Sequence, residues 1–162
     1  MKSFFSEFIY GGMDGIITTI AIISSVIGAN ISTQYALVLG MANVLSDGFS
    51  MGISRFNSLV DLQKEGNKFY PYYSAFFTFV FFVIMGSIPL IPFLFVSLQN
   101  EKMMQYMLLF FGLLSFVIIG TIKGIYTKKI VKSLVEVILI GSLGAFIAFY
   151  VSKTMKERYL LN

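Results

Sequence analysis

Long stretches without a charged side chain alternate with short polar segments along this chain. Four stretches contain no charge, at residues 15–46, 69–100, 103–122 and 137–152. Because a helix needs roughly 20 apolar residues to cross the hydrocarbon core of a bilayer, these stretches predict transmembrane helices. The first is too long for one ordinary helix and contains a polar, turn-forming cluster, Asn30–Gln34. It therefore predicts two helices.

The pattern predicts an all-α integral membrane protein with five transmembrane helices. The third helix contains Gly86, Pro89 and Pro92, so we expect it to kink or to end early. The polar loops are too short to form a second domain, so residues 1–162 are expected to form one transmembrane domain. The expected spans are about residues 8–29, 35–56, 70–98, 103–124 and 134–152.

Five spans place the two termini on opposite sides of the membrane. With the N-terminus in the cytosol, the inner segments hold eight Lys and Arg residues and the outer segments hold four. Because basic residues concentrate on the cytosolic side, we predict a cytosolic N-terminus and a luminal or extracellular C-terminus. The first ten residues include Glu7 and lack a small-residue cleavage site, so they do not predict a removable signal peptide.

Composition narrows the possible chemistry. Charged residues make up 12% of the chain, about half the ~25% that is usual for soluble domains. The chain has no Cys and no His, which excludes disulfides, thiolate nucleophiles and imidazole bases, so an enzyme is not expected. The net charge of +4 does not indicate nucleic acid as a partner, because the basic residues lie in short runs at span ends.

Two acidic residues, Asp14 and Asp47, lie well inside apolar spans. An ionised Asp at the membrane centre costs roughly 2.5–3.5 kcal/mol on insertion scales, so such residues usually face a bundle interior, a wet cavity or a partner. Asn43, Asp47 and Met51 are spaced by four and share one face of the second helix. Carboxylate and thioether donors together suit an ion such as Fe²⁺ better than Mg²⁺ or Ca²⁺. Alternatively, Met51 fills the core and one Asp is protonated and hydrogen-bonded to a neighbouring helix.

Other polar residues and glycines have simpler expected roles. Glu136 is expected near the membrane interface beside Lys132, and Lys123 is expected to extend towards the headgroups from a helix end. Asp61 and Glu65 either attract cations weakly or form a solvated surface. Three glycine pairs allow close helix packing, with or without room for an ion, namely Gly11/Gly15, Gly48/Gly52 and Gly120/Gly124.

Three segments resemble the vacuolar iron transporter family. Gly12–Thr19 is similar to the first-helix motif of that family, and Gly40–Gly52, which contains Asp47-Gly48 and Ser50-Met51-Gly52, is similar to its second-helix motif. Ala75–Phe93 ends in a G-x-x-P-L-x-P pattern that resembles the end of its third helix. The second-helix motif is the most specific of the three.

The resemblance implies a five-helix domain that forms a homodimer in a lipid membrane, with a metal path between the copies. Family members move Fe²⁺, and often Mn²⁺, out of the cytosol into a vacuole or across the plasma membrane, in exchange for protons. No cofactor is implied, since the metal is the transported substrate. By motif position, Asp14 matches a metal-path aspartate and Met51 a methionine ligand, with Asp47 on the same stripe. Asn43 stands where many relatives carry an acidic residue.

One departure concerns the connection between the second and third helices. Many relatives carry a glutamate-rich helical metal-binding domain there, whereas Arg55–Lys68 is short and has few acidic residues. Two other functions remain open, a passive channel for divalent cations and a membrane assembly or regulatory protein that transports nothing.

Overall fold

The computed structural model describes residues 2–64, 70–94 and 101–159, with side chains at 4–62, 70–94 and 102–159. Within these ranges all regular structure is helical, and five helices are long and apolar enough to cross a membrane. The prediction of an all-α membrane protein with five spans is confirmed. A 3₁₀ segment, Ile88–Leu94, extends the third helix. The helices are α1 (Lys2–Gly28), α2 (Gln34–Lys64), α3 (Pro71–Ser87), α4 (Glu101–Thr127) and α5 (Ile130–Tyr159).

Two predicted interruptions are present in the structure. Asn30, just after α1, has φ 48°, a left-handed conformation that Asn tolerates better than most residues. The α-helical part of the third span ends at Ser87, before Pro89 and Pro92, as the sequence predicts. Residues 95–98 of the predicted third span lie outside the described residues.

The expected end of the second span near residue 56 is wrong, because α2 continues to Lys64. Two contacts inside the protein explain the extra turns. Leu59 is 2% exposed, and Arg55 pairs with an acidic residue of α1. Asp61 therefore lies on α2, whereas Glu65 lies outside the described residues.

The first helix is the centre of the bundle. More than half of its apolar span is buried (56%), against 11% of the span in α5. A Cβ atom on Gly11 or Gly15 would lie 2.4 Å from the backbone oxygen of Thr78 or Phe82, so α1 and α3 meet backbone to backbone. The other two glycine pairs lie against α3 and α5 of the same chain. All three pairs therefore support close packing within one chain.

Arg55 lies near one end of the bundle, and we call this end the Arg55 end. There α1 begins, α2 and α4 end, and α3 and α5 begin. The rings of Phe5 on α1 and Tyr126 on α4 stack with centroids 3.6 Å apart, which ties two of these helix ends together.

Candidate functional site

Asp14 and Met51 line one cavity of about 660 Å³. Asp14 lies roughly 15 Å along α1 from Phe4, well inside the apolar span Phe4–Gly28. Asp47 does not line this cavity, although its carboxylate is close enough to act electrostatically on Asp14. The wall combines residues of α1, α2 and α4, namely Phe5, Ser6, Ile9, Tyr10, Met13, Asp14, Ile17, Met51, Lys123, Tyr126 and Thr127.

Asn43 is joined to Asp47 but faces a different cavity. Its side-chain amide donates a hydrogen bond to the Asp47 carboxylate one helical turn away. The Asn43 carbonyl oxygen, Oδ1, is buried and has no hydrogen-bond partner, so it remains available as an oxygen ligand. The second cavity measures about 340 Å³ and also contains Ser25 and Ser152. The four predicted metal residues thus lie along one face rather than in one cluster.

The Asp14 carboxylate is open at the surface of a single chain. Its residue is exposed, and no side chain in the described ranges gives the carboxylate a hydrogen bond or an ion pair. The described part of the chain contains no group of three or more acidic side chains that could hold a metal. One chain therefore offers an incomplete coordination shell around Asp14.

A buried ion pair at the Arg55 end was missed by the sequence analysis. Glu7 is almost fully buried, and both of its carboxylate oxygens accept hydrogen bonds from Arg55, at 2.9 and 2.7 Å. Thr78 donates a third hydrogen bond to Glu7 at 2.9 Å. These contacts join α1, α2 and α3, and they satisfy a carboxylate that would otherwise be buried without compensation.

This ion pair lies on the same helix faces as the predicted metal residues. Arg55 is four residues after Met51, and Glu7 is seven residues before Asp14, which is about two helical turns. The Arg55 guanidinium lies 5.7 Å from the ring centroid of Tyr10, which itself lines the Asp14 cavity. The four-residue spacing of Arg55 from Met51 was a signal in the sequence, since the expected second span, 35–56, contains both residues.

Two expectations about α4 and α5 are wrong. Glu136 pairs with Lys123, at 3.0 Å between Nζ and Oε1, rather than with Lys132. Lys123 does not extend freely towards the headgroups, because its side chain is 19% exposed and lines the Asp14 cavity. Close packing of α4 on α5 at Gly120 and Gly124 brings the two charges together.

Comparisons with known proteins match most of the chain to one family. The model of the VIT family matches residues 5–66 and 58–153. A vacuolar iron transporter of Plasmodium berghei (strain Anka) is 39% identical over 57 residues, which are 35% of this chain and 21% of that protein. A vacuolar iron transporter of Toxoplasma gondii (strain ATCC 50861 / VEG) is 40% identical over 50 residues, 31% of this chain and 17% of that protein. The chain thus spans about a fifth of the length of these relatives.

We expect Arg55→Met to destabilise the protein by about 3 kcal/mol, since it leaves the buried Glu7 carboxylate unpaired. The double variant Glu7→Gln/Arg55→Met should recover much of that loss, because the buried charge is gone. Thermal unfolding in detergent, followed by circular dichroism, measures both, with Lys153→Met as a control that removes an exposed cation. Equal melting temperatures for Arg55→Met and Lys153→Met would contradict the assignment.

Proposed function

This chain belongs to the VIT family, and we propose that it carries a divalent transition metal, Fe²⁺ or Mn²⁺, across a membrane along the faces of α1 and α2. One observation carries the proposal most directly. Asp14 and Met51 line the same cavity within the apolar spans of α1 and α2, and the Asp14 carboxylate has no partner among the described side chains. The names of the relatives support iron as the metal.

The donors along this face suit such an ion. Asp14 and Asp47 supply hard, negatively charged oxygens, and Met51 supplies a soft thioether. Asn43 adds a buried amide oxygen that lacks a partner. Mg²⁺ and Ca²⁺ prefer oxygen ligands alone, so the thioether favours a transition metal over them. In this proposal the metal is substrate, no bond in a substrate is broken, and no cofactor or enzymatic activity is involved.

The position of Asp14 supports a proposed exchange of metal for protons. A carboxylate that is unpaired in hydrocarbon takes up a proton when no metal is present, and a divalent ion displaces that proton on binding. Alternating access then moves metal one way and protons the other. Transport out of the cytosol, into a vacuole or other organelle or across the plasma membrane, accords with the "vacuolar" relatives. A passive channel would conduct without regard to the pH gradient.

A second copy of the chain would complete the site. Asp14 is exposed on one chain, where lipid would otherwise cover an ionisable group. The neighbouring face of α2 is lined with small residues that allow a close helix approach. A homodimer would double the carboxylate and thioether donors at one path. The small residues are exposed and spaced by four, namely Ala42, Ser46, Ser50 and Ser54.

Metal capture would not use a domain inserted between α2 and α3. Residues 65–70 alone connect these helices, which leaves no room there for the helical metal-binding domain that the family resemblance implies for many relatives. In this proposal ions enter from the Arg55 end. A membrane assembly protein that transports nothing is the competing function, and it predicts no metal flux.

Asp14→Asn and Met51→Ala should each lower ferrous flux into proteoliposomes at least about tenfold, comparable with the loss of affinity when support for a metal ligand is removed. Flux is measured with and without a pH gradient. Glu157→Gln and Met155→Ala make the same chemical changes on α5, away from the cavity, and should transport like the unmodified protein. Undiminished flux in Asp14→Asn and Met51→Ala would overturn the site.

The absence of Cys allows a direct test of the dimer, because one introduced Cys can form a disulfide only with a second copy. Oxidation of Ser50→Cys in membranes should give a covalent dimer on a non-reducing gel. Ser142→Cys, exposed on α5, should remain monomeric under the same conditions. Equal cross-linking of the two variants would contradict a dimer along α2.

A further inference from the structure

A lysine lines the cavity that contains Asp14 and Met51. Lys123 comes from α4, and its side chain is largely shielded from solvent, at 19% exposed. Its ammonium lies 3.0 Å from the carboxylate of Glu136 on α5. This arrangement needs an explanation, because an ammonium group repels the divalent ions that the other side chains of the cavity would attract.

The pairing depends on how closely α4 and α5 approach. A Cβ on Gly124 would lie 2.5 Å from the Cα of Ile130, and one on Gly120 would lie 3.0 Å from Leu134. These two glycines bracket Lys123 and bring the first turns of α5 against the wall of the cavity. Glu136 thereby reaches Lys123 across the helix pair.

Stability alone does not account for this pair. Glu136 is 46% exposed, and ion pairs with an exposed partner contribute little to folding free energy. We expect the charge of Glu136 to matter more for the electrostatic potential in the cavity than for folding free energy. Within a protein of low effective dielectric constant, one unit charge acts on a divalent ion over distances well beyond contact. Neutralising Lys123 therefore changes which ions the cavity admits.

We propose that Glu136 is a positioning residue for cation access, which cancels the charge of Lys123 so that the cavity accepts a divalent metal. The inference rests on the proposed function of this cavity. Without Glu136, the ammonium is free to turn towards Asp14 and occupy the place of the metal. With Glu136, Lys123 does not offset the charge of Asp14 in the cavity wall, and the nearby Asp47 carboxylate adds to the negative potential there.

Equilibrium binding of Mn²⁺ to the purified protein tests the inference without requiring transport. Electron paramagnetic resonance reports free Mn²⁺ directly. Glu136→Gln should raise the dissociation constant at least about tenfold at low salt, and the difference should shrink at high ionic strength, because salt screens charges. Glu157→Gln removes an acidic side chain at the opposite end of α5 and should bind Mn²⁺ like the unmodified protein.

The double variant Glu136→Gln/Lys123→Gln separates charge from structure. If Glu136 acts by neutralising Lys123, removing both charges restores Mn²⁺ affinity to within about threefold of the unmodified protein, since the net charge of the pair is unchanged. Glu136→Asp should keep most of the affinity. The melting temperature of each variant is recorded alongside.

Three results would overturn the inference. They are unchanged Mn²⁺ affinity in Glu136→Gln, a double variant as weak as the single variant, and no Mn²⁺ binding by the unmodified protein. Mn²⁺ binding without any metal flux would instead remove the transport proposal and leave the role of Glu136 intact.

Discussion

A carboxylate buried among membrane helices has to be compensated by the protein itself, and Glu7 imposes this requirement on the fold. Arg55 and Thr78 donate three hydrogen bonds to it, so α1, α2 and α3 are fixed relative to one another along the helix axes. In this relative position of the helices, Asp14 and Met51 lie in the wall of one cavity. The glycines at 11 and 15 let α3 pack directly on the backbone of α1, which keeps these two helices close together. An ion pair that does not line the Asp14 cavity thus helps to position the helices that form it.

Some charged side chains in the spans have a partner of opposite charge and others do not. Glu7 has Arg55 and Lys123 has Glu136, whereas Asp14 receives no partner from the described part of the chain. A carboxyl group left in that position within an apolar span takes a proton, a metal ion or the surface of another protein. The proposed exchange, the proposed dimer and the role of Glu136 all follow from this one difference. Each of the three proposals can be disproved without the others, since each depends on a different neighbour of Asp14.

Much of this architecture is predictable from the sequence, because the bilayer requires long apolar helices and the chain interrupts them with Asn30 and with Pro89 and Pro92. Asp14, Asp47 and Met51 are recognisable for the same reason, as polar or ligating groups at helical spacing in apolar spans. The Glu7–Arg55 and Lys123–Glu136 pairs are not predictable in this way. Each pair joins two helices at a position that depends on how the helices pack in three dimensions, and hydropathy carries no information about that packing. The sequence predicts an end of α2 that is too early, because the residues after 56 are mostly polar. In the structure the helix continues, since Arg55 pairs with Glu7 and Leu59 is buried.

In the proposed function a metal ion and protons exchange at the Asp14 cavity. Proteoliposomes that enclose a pH-sensitive dye and a ferrous indicator measure both movements after Fe²⁺ is added outside. Proton-coupled transport predicts that Fe²⁺ entry is accompanied by protons leaving the vesicle, at a rate that rises and falls with the ferrous flux and with the imposed pH gradient. Fe²⁺ entry without proton movement, at a rate independent of the gradient, would contradict it and would identify a passive path.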